Sequence, residues 1–139
     1  MSMDSIELRT GSFDARISPE GGLLTRLRWN GPQGSIPLLR DAVEGADALG
    51  SSCYPLVPFG NRVRGNRFRF GGQDHTLAPN TNWDPHYLHG EGWLGRWRVV
   101  EAKDDGVRLA FRCGASAATP YAYEAEQTFA VEDGAFVMG

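Results

Sequence analysis

The sequence lacks the features that mark membrane, secreted or nucleic-acid-binding proteins. No run of about 18 apolar residues is present to span a bilayer. The first eight residues, MSMDSIEL, contain neither the basic nor the apolar segment of a secretory signal. The net charge is −3 at pH 7, so no basic surface for nucleic acid or anionic lipid is expected. We therefore predict a cytoplasmic protein with no nucleic-acid partner and no membrane partner.

Cysteine is also scarce. The two cysteines, Cys53 and Cys113, lie far apart and lack the spacing of metal ligands. In a cytoplasmic protein this favours two reduced thiols over a disulfide.

Helical periodicity is the third absence. No stretch of 11 or more residues keeps a convincing 3.6-residue apolar period, and an alternation of period two takes its place at 13–17, 107–113 and 121–131. Residues 67–70 and 73–77 flank Gly71-Gly72, which predicts a tight hairpin. The pattern predicts an all-β fold of sandwich or barrel type, and a chain of 139 residues predicts one domain, 1–139.

Two segments, 51–64 and 78–95, interrupt this alternation. Pro55 and Pro58 exclude the first from a central strand. The second is rich in Asn, Pro, His, Gly and Trp, and loops of this length are uncommon in a compact domain unless they are functional. We therefore expect a functional site to be built from these two loops.

The first loop carries Asn61 and Arg62 directly after a proline-containing turn. An amide beside a guanidinium group can form paired hydrogen bonds with the neighbouring hydroxyls of a sugar. The alternative is that Arg62 pairs with a carboxylate or caps loop carbonyls.

The second loop allows three interpretations. A metal site could use His86, His89, Glu91 and Asp84. It is disfavoured because histidines at i and i+3 would face opposite sides of a strand, and we predict no metal. A sugar site would use a tryptophan face against a pyranose ring and a histidine hydrogen bond. In the third interpretation His89 is a satisfied loop histidine and the tryptophans are core aromatics: Trp83, Trp93 and Trp97.

Four motifs in order resemble the aldose 1-epimerase family: YPLVPFGNRVRGNRF at 54–68, LAPN at 77–80, LHGEGW at 88–93 and TPYAY at 119–123. The resemblance implies an antiparallel β-sandwich of the galactose-mutarotase type, present here as its amino-terminal part. It implies a small-molecule sugar ligand, no cofactor, and an isomerase reaction in which an acid and a base open a hexose ring that recloses as the other anomer. It also implies that Asn61, Arg62 and His89 bind the sugar, with Asn80 and Trp93 as further candidates.

In that family the general acid is a histidine and the general base a glutamate, both in the carboxy-terminal half. No residue here matches either motif, so no catalytic residue is assigned and we expect the 139 residues to bind sugar without turnover. One alternative is a non-catalytic carbohydrate-binding protein. Another is a relative of hexose-6-phosphate 1-epimerases, with a phosphate held by arginines: Arg62, Arg64, Arg67 and Arg96.

Residues 136–138 resemble the opening of another strand, which suggests that the sequence continues in full-length relatives. Half a sandwich leaves strand edges and apolar surface open. We therefore expect a homo-oligomer.

Overall fold

A computed structural model describes residues 5–139. Residues 1–4, the start of the segment interpreted above as lacking a signal sequence, lie outside the described residues. No helix in the described range is long and apolar enough to cross a membrane. The described residues contain one 3-10 turn, Arg64–Asn66, and ten strands. The strands are β1 (Ile6–Thr10), β2 (Phe13–Ser18), β3 (Leu23–Gly31), β4 (Gly34–Pro37), β5 (Arg67–Phe70), β6 (Gln73–Thr76), β7 (Arg98–Lys103), β8 (Gly106–Cys113), β9 (Tyr123–Glu132) and β10 (Ala135–Met138).

The strands form two antiparallel four-stranded sheets and one hairpin. The first sheet has the order β1-β2-β3-β4, the second β10-β9-β8-β7, and the hairpin is β5-β6. Buried side chains of both four-stranded sheets form one common core: Leu8, Ala15, Ile17, Leu24, Leu27, Val107, Leu109 and Phe129. The fold is therefore an antiparallel β-sandwich of the predicted class.

The period-two segments are strands because alternate side chains of a strand point to opposite faces, so one apolar face can be buried. In β8, Val107 and Leu109 enter the core while Arg108 does not. The predicted strands at 13–17 and 107–113 are β2 and β8. The third begins later than predicted, at Tyr123, so Tyr121 lies in the connection before β9.

The predicted glycine hairpin is confirmed. Phe70 pairs with Gln73, and Gly71 and Gly72 have φ angles of 59° and 77°, a backbone region that glycine adopts at little cost. The hairpin lies between the two predicted loops in sequence and belongs to neither large sheet.

Both large sheets have open edges within residues 5–139. β1 and β4 flank the first sheet, β7 and β10 flank the second, and each has one strand neighbour there. These edges offer unpaired backbone groups to another chain. The homo-oligomer stays a prediction.

Candidate functional site

The two loops without periodicity meet, and they bring Asn61, Arg62 and His89 together. The backbone N–H of His89 donates to the carbonyl oxygen of Asn61 at 2.9 Å. Single β-bridges join Arg62 to Leu88 and Val57 to Gly90. The three residues expected to bind sugar therefore form one cluster, which we call the clamp.

The backbone of the clamp is held in an unusual conformation at two points. Asn61 has a φ of 66° and His89 a φ of 58°, both in the left-handed region. The left-handed region costs an L-residue roughly 1–2 kcal/mol, less where a short polar side chain bonds locally. Such strain persists where the surroundings enforce it. Here the backbone N–H of Asn61 donates to Nδ1 of the His89 ring at 2.7 Å, so each residue fixes the other.

This hydrogen bond determines the protonation of the His89 ring. Because Nδ1 accepts this hydrogen bond, the neutral ring carries its own hydrogen on Nε2. Burial lowers the pKa of His89, nearby Arg62 lowers it further, and Asp84 opposes them. His89 is therefore a neutral ring at neutral pH. Its Nε2–H donor has no hydrogen-bond acceptor among residues 5–139.

Arg62 is held by a buried carboxylate. Its Nε donates to Oδ2 of Asp84 at 2.8 Å, its Nη2 donates to the same oxygen, and its Nη1 donates to Oδ1 of Asn61 at 3.2 Å. The Asp84 side chain is 6% exposed while that of Arg62 is 46% exposed. The Arg62 hydrogen bonds, followed by that from the backbone N–H of His86, lower the pKa of Asp84 to about 2. The interpretation of Arg62 as the partner of a carboxylate is thus confirmed, and its guanidinium group keeps an outward-facing edge.

Asn80 and Trp93 lie beneath the clamp. The Asn80 amide donates to the carbonyl oxygens of Leu88 and Gly90 at 2.7 and 2.9 Å and accepts from the backbone N–H of Leu88 at 2.8 Å. Nε1 of Trp93 donates to the same two carbonyls at 3.1 Å, and Trp93 is 4% exposed. Its ring meets the His89 ring edge-on, with centroids 5.8 Å apart. Both side chains support, from inside, the part of the 78–95 loop that carries His89, which we call the histidine loop. Direct contact with a sugar stays a prediction for both.

The remaining tryptophans differ in burial. Trp97 is 1% exposed and belongs to the sandwich core, whereas Trp83 is 54% exposed. Trp83 lines a cavity of about 370 Å³ together with Asp47, Asn80 and Trp93. This cavity does not include the clamp, which is an open surface feature.

The metal and phosphate interpretations find little support in the geometry. Among residues 5–139, no group of three His, Cys, Asp or Glu side chains is placed to hold a metal ion. Nδ1 of His86 lies 3.2 Å from the Asp84 carboxylate. Of the four arginines proposed to hold a phosphate, Arg62 pairs with Asp84 and Arg96 with Glu20, so these two do not form one free cluster.

Sequence reasoning missed a cluster next to the clamp. The Glu91 carboxylate accepts hydrogen bonds from the hydroxyls of Tyr87, Tyr121 and Tyr123. The sequence pattern suggests Glu91 only as a metal ligand. The signal for the cluster is weak: two tyrosines at i and i+2 where a strand begins, with nothing in the sequence to identify their acceptor.

Comparison with known proteins agrees with the fold and the motifs. The profile of the aldose 1-epimerase family matches residues 4–137, and the chain belongs to this family. It is 41% identical over 122 residues to the uncharacterized protein YphB of Escherichia coli (strain K12), covering 88% of this chain and 40% of that protein.

Solved structures give the same result. A crystal structure from Escherichia coli K12, provisionally assigned as an aldose 1-epimerase, superimposes with a TM-score of 0.81 at 40% identity, covering 91% of this chain and 41% of that chain. The GalM/aldose epimerase homologue of C. elegans has a TM-score of 0.76 at 23% identity over 93% of this chain and 42% of its own, a likeness of fold alone. The chain thus spans about 40% of the length of these relatives.

Proposed function

We propose that this chain supplies the sugar-binding part of an aldose 1-epimerase-like protein and that the clamp binds a free hexose. The observation that carries the proposal is the mutual lock of Asn61 and His89 beside an Arg62 side chain held by Asp84. Hydrogen-bond donors that are fixed before binding lose little conformational entropy when a ligand arrives.

The chemistry of these donors suits neighbouring hydroxyls. Nε2–H of His89 and the outward N–H groups of Arg62 can donate to hydroxyl oxygens. Oδ1 of Asn61 accepts from Arg62, which leaves its amide nitrogen as a third donor. The Tyr54 ring, 6.4 Å from the His89 ring centroid, adds an aromatic wall for the apolar face of a pyranose.

Charge balance favours a free sugar over a sugar phosphate. Asp84 is ionised and offsets the charge of Arg62 within the clamp, while the histidine is neutral. An anionic phosphate would find no net positive charge there, whereas a neutral hexose requires none.

For the whole protein we propose the family's reaction, the interconversion of α and β anomers. The clamp would orient the sugar while an acid protonates the ring oxygen and a base removes the proton of the anomeric hydroxyl, so that the ring opens and recloses. We assign neither role to a residue of this chain. We therefore expect the 139 residues alone to leave the mutarotation rate of fresh α-glucose or α-galactose at that of a heat-denatured control in polarimetry. A rate well above the control would contradict the proposal that these residues bind the sugar without supplying the acid and the base.

Binding is tested by titrating the purified chain with galactose and glucose while recording amide NMR shifts. A hydrogen bond contributes about 1.5–3 kcal/mol when one group is charged and about 1 kcal/mol when both are neutral. Arg62→Ala should therefore weaken binding roughly tenfold or more, and His89→Ala roughly fivefold or more. Arg112→Ala is the matched control, since its side chain is 83% exposed on β8. Equal affinities in all four proteins would refute the clamp as the sugar site. Glucose 6-phosphate binding much more tightly than glucose would favour the phosphate alternative.

A further inference from the structure

Glu91 lies two residues beyond His89, and its carboxylate is surrounded by phenols. Oε1 accepts hydrogen bonds from the hydroxyls of Tyr87 and of Tyr121, the latter at 2.8 Å, and Oε2 accepts from the hydroxyl of Tyr123 at 2.7 Å. Tyr87 belongs to the same loop as Glu91, whereas Tyr123 begins β9 and Tyr121 lies two residues before it. A carboxylate of the histidine loop is thus bonded to the second sheet.

The three phenols are permanent donors to this carboxylate. Burial, followed by the hydrogen bond with Glu91, raises the pKa of each tyrosine, that of Tyr87 to about 12. Each hydroxyl therefore keeps its proton throughout the neutral range. The three phenols supply the side-chain hydrogen bonds to Glu91, whose side chain is partly buried.

The backbone around Glu91 is bonded to the other loop of the clamp. The N–H groups of Glu91 and Gly92 donate to the carbonyl oxygen of Val57 at 3.1 and 3.3 Å, and the Tyr123 hydroxyl reaches the same oxygen at 3.3 Å. Gly90 forms a β-bridge with Val57. Glu91 consequently connects three parts of the molecule: the Asn61 loop, the His89 loop and the second sheet.

We propose that Glu91 is a positioning residue of the sugar site, which holds His89 in its left-handed conformation by anchoring the histidine loop to Tyr121 and Tyr123. An apolar side chain could bury the same surface. A carboxylate that accepts three hydrogen bonds also fixes the orientation of the loop that carries it. Removing it leaves three phenols that must find other acceptors, and the loop moves with them. The importance of this positioning for ligand binding rests on the proposed function of His89.

The test uses variants that remove the acceptor or the donors. Glu91→Ala removes the carboxylate, Glu91→Gln keeps one acceptor oxygen, and the double variant Tyr121→Phe/Tyr123→Phe removes two donors while keeping the rings. Glu126→Gln is the control, an exposed glutamate of β9 outside the cluster.

Two readouts separate positioning from general stability. Long-range nitrogen–proton NMR reports the tautomer and the pKa of His89, and hexose titration reports affinity. Arg62, Asp84 and the Tyr54 ring face His89 and are retained in every variant. We expect the parent chain and Glu126→Gln to show the single Nε2–H tautomer. Glu91→Ala and the double variant should show mixed tautomers, a His89 pKa nearer the ordinary 6.5, and roughly tenfold weaker hexose binding, with Glu91→Gln between.

The outcomes decide the proposal in each case. An unchanged His89 tautomer and pKa in the double variant overturns it, even if Glu91→Ala fails to fold. If the parent chain binds no hexose but the variants shift the His89 tautomer, the positioning role stands and the sugar function fails. If hexose binding weakens while the His89 ring is unaltered, Glu91 acts on the ligand by another route and the proposal is wrong.

Discussion

Replacing Gly90 with alanine probes the contact between the two loops that builds the clamp. Gly90 has a φ of +66°, and a Cβ atom there would lie 2.3 Å from the carbonyl oxygen of Val57 and 2.3 Å from Cδ of Pro58. Neither atom can rotate away, because one belongs to the backbone and the other to a proline ring. The loops must separate to admit the methyl group.

The cost has two parts. Placing alanine in the left-handed region costs roughly 1–2 kcal/mol. Forcing a methyl group into a closed contact costs about 1–3 kcal/mol more. We therefore expect Gly90→Ala to lower the free energy of unfolding by about 3 kcal/mol. For a chain of this length that corresponds to a decrease in melting temperature of roughly 10 °C.

Gly71→Ala is the matched control. Gly71 has a similar φ of +59°, but a Cβ atom added there would have no other atom within 4 Å. Gly71→Ala should therefore show the backbone cost alone, roughly 1–2 kcal/mol. Urea and thermal unfolding of both variants measure the difference, and hexose titration of Gly90→Ala should show weakened binding. Equal destabilisation of the two variants would refute the close approach of the loops at Gly90.

Three further predictions concern the same site. Because burial lowers the pKa of His89, the folded state favours the neutral ring. The contribution of His89 to the free energy of unfolding is therefore complete above pH 6.5, the ordinary histidine pKa, and is lost as the pH falls through the pKa of the folded state. Hexose binding should weaken over the same acid range, and a flat profile in NMR titrations from about pH 7.5 to 5 would contradict this. Trp93→Phe removes a buried donor to loop carbonyls and should cost about 1–3 kcal/mol in urea unfolding, against under about 0.5 kcal/mol for the exposed Trp83→Phe. Asp84→Asn should weaken hexose binding by freeing Arg62. It should also remove stability that the parent chain holds above the ordinary carboxyl pKa of 3.8 and loses as the pH falls towards 2, as measured by acid unfolding.

The sequence by itself determined most of the strands and the two loops in which we propose the site. Alternation at 107–113 requires only local chain geometry, since successive side chains of an extended strand face opposite sides. Gly71-Gly72 specifies a hairpin because a two-residue turn needs positive φ angles. Proline and polar residues excluded two long segments from the strands. The proposal that Asn61 and His89 bind sugar comes from the family resemblance of these segments and needs no knowledge of any contact between the loops.

The tertiary structure alone decided how these residues are held. Asp84 lies 22 positions from Arg62, and Tyr123 lies 32 from Glu91, in segments whose approach depends on the packing of the two sheets. Hydrophobic periodicity predicts which face of a strand is buried, but it does not predict which loops contact each other. For the same reason the sequence could not distinguish the buried Trp93 from the exposed Trp83, ten residues apart in the same loop. Burial of a loop side chain is set by what packs over it, and those neighbours come from distant parts of the chain.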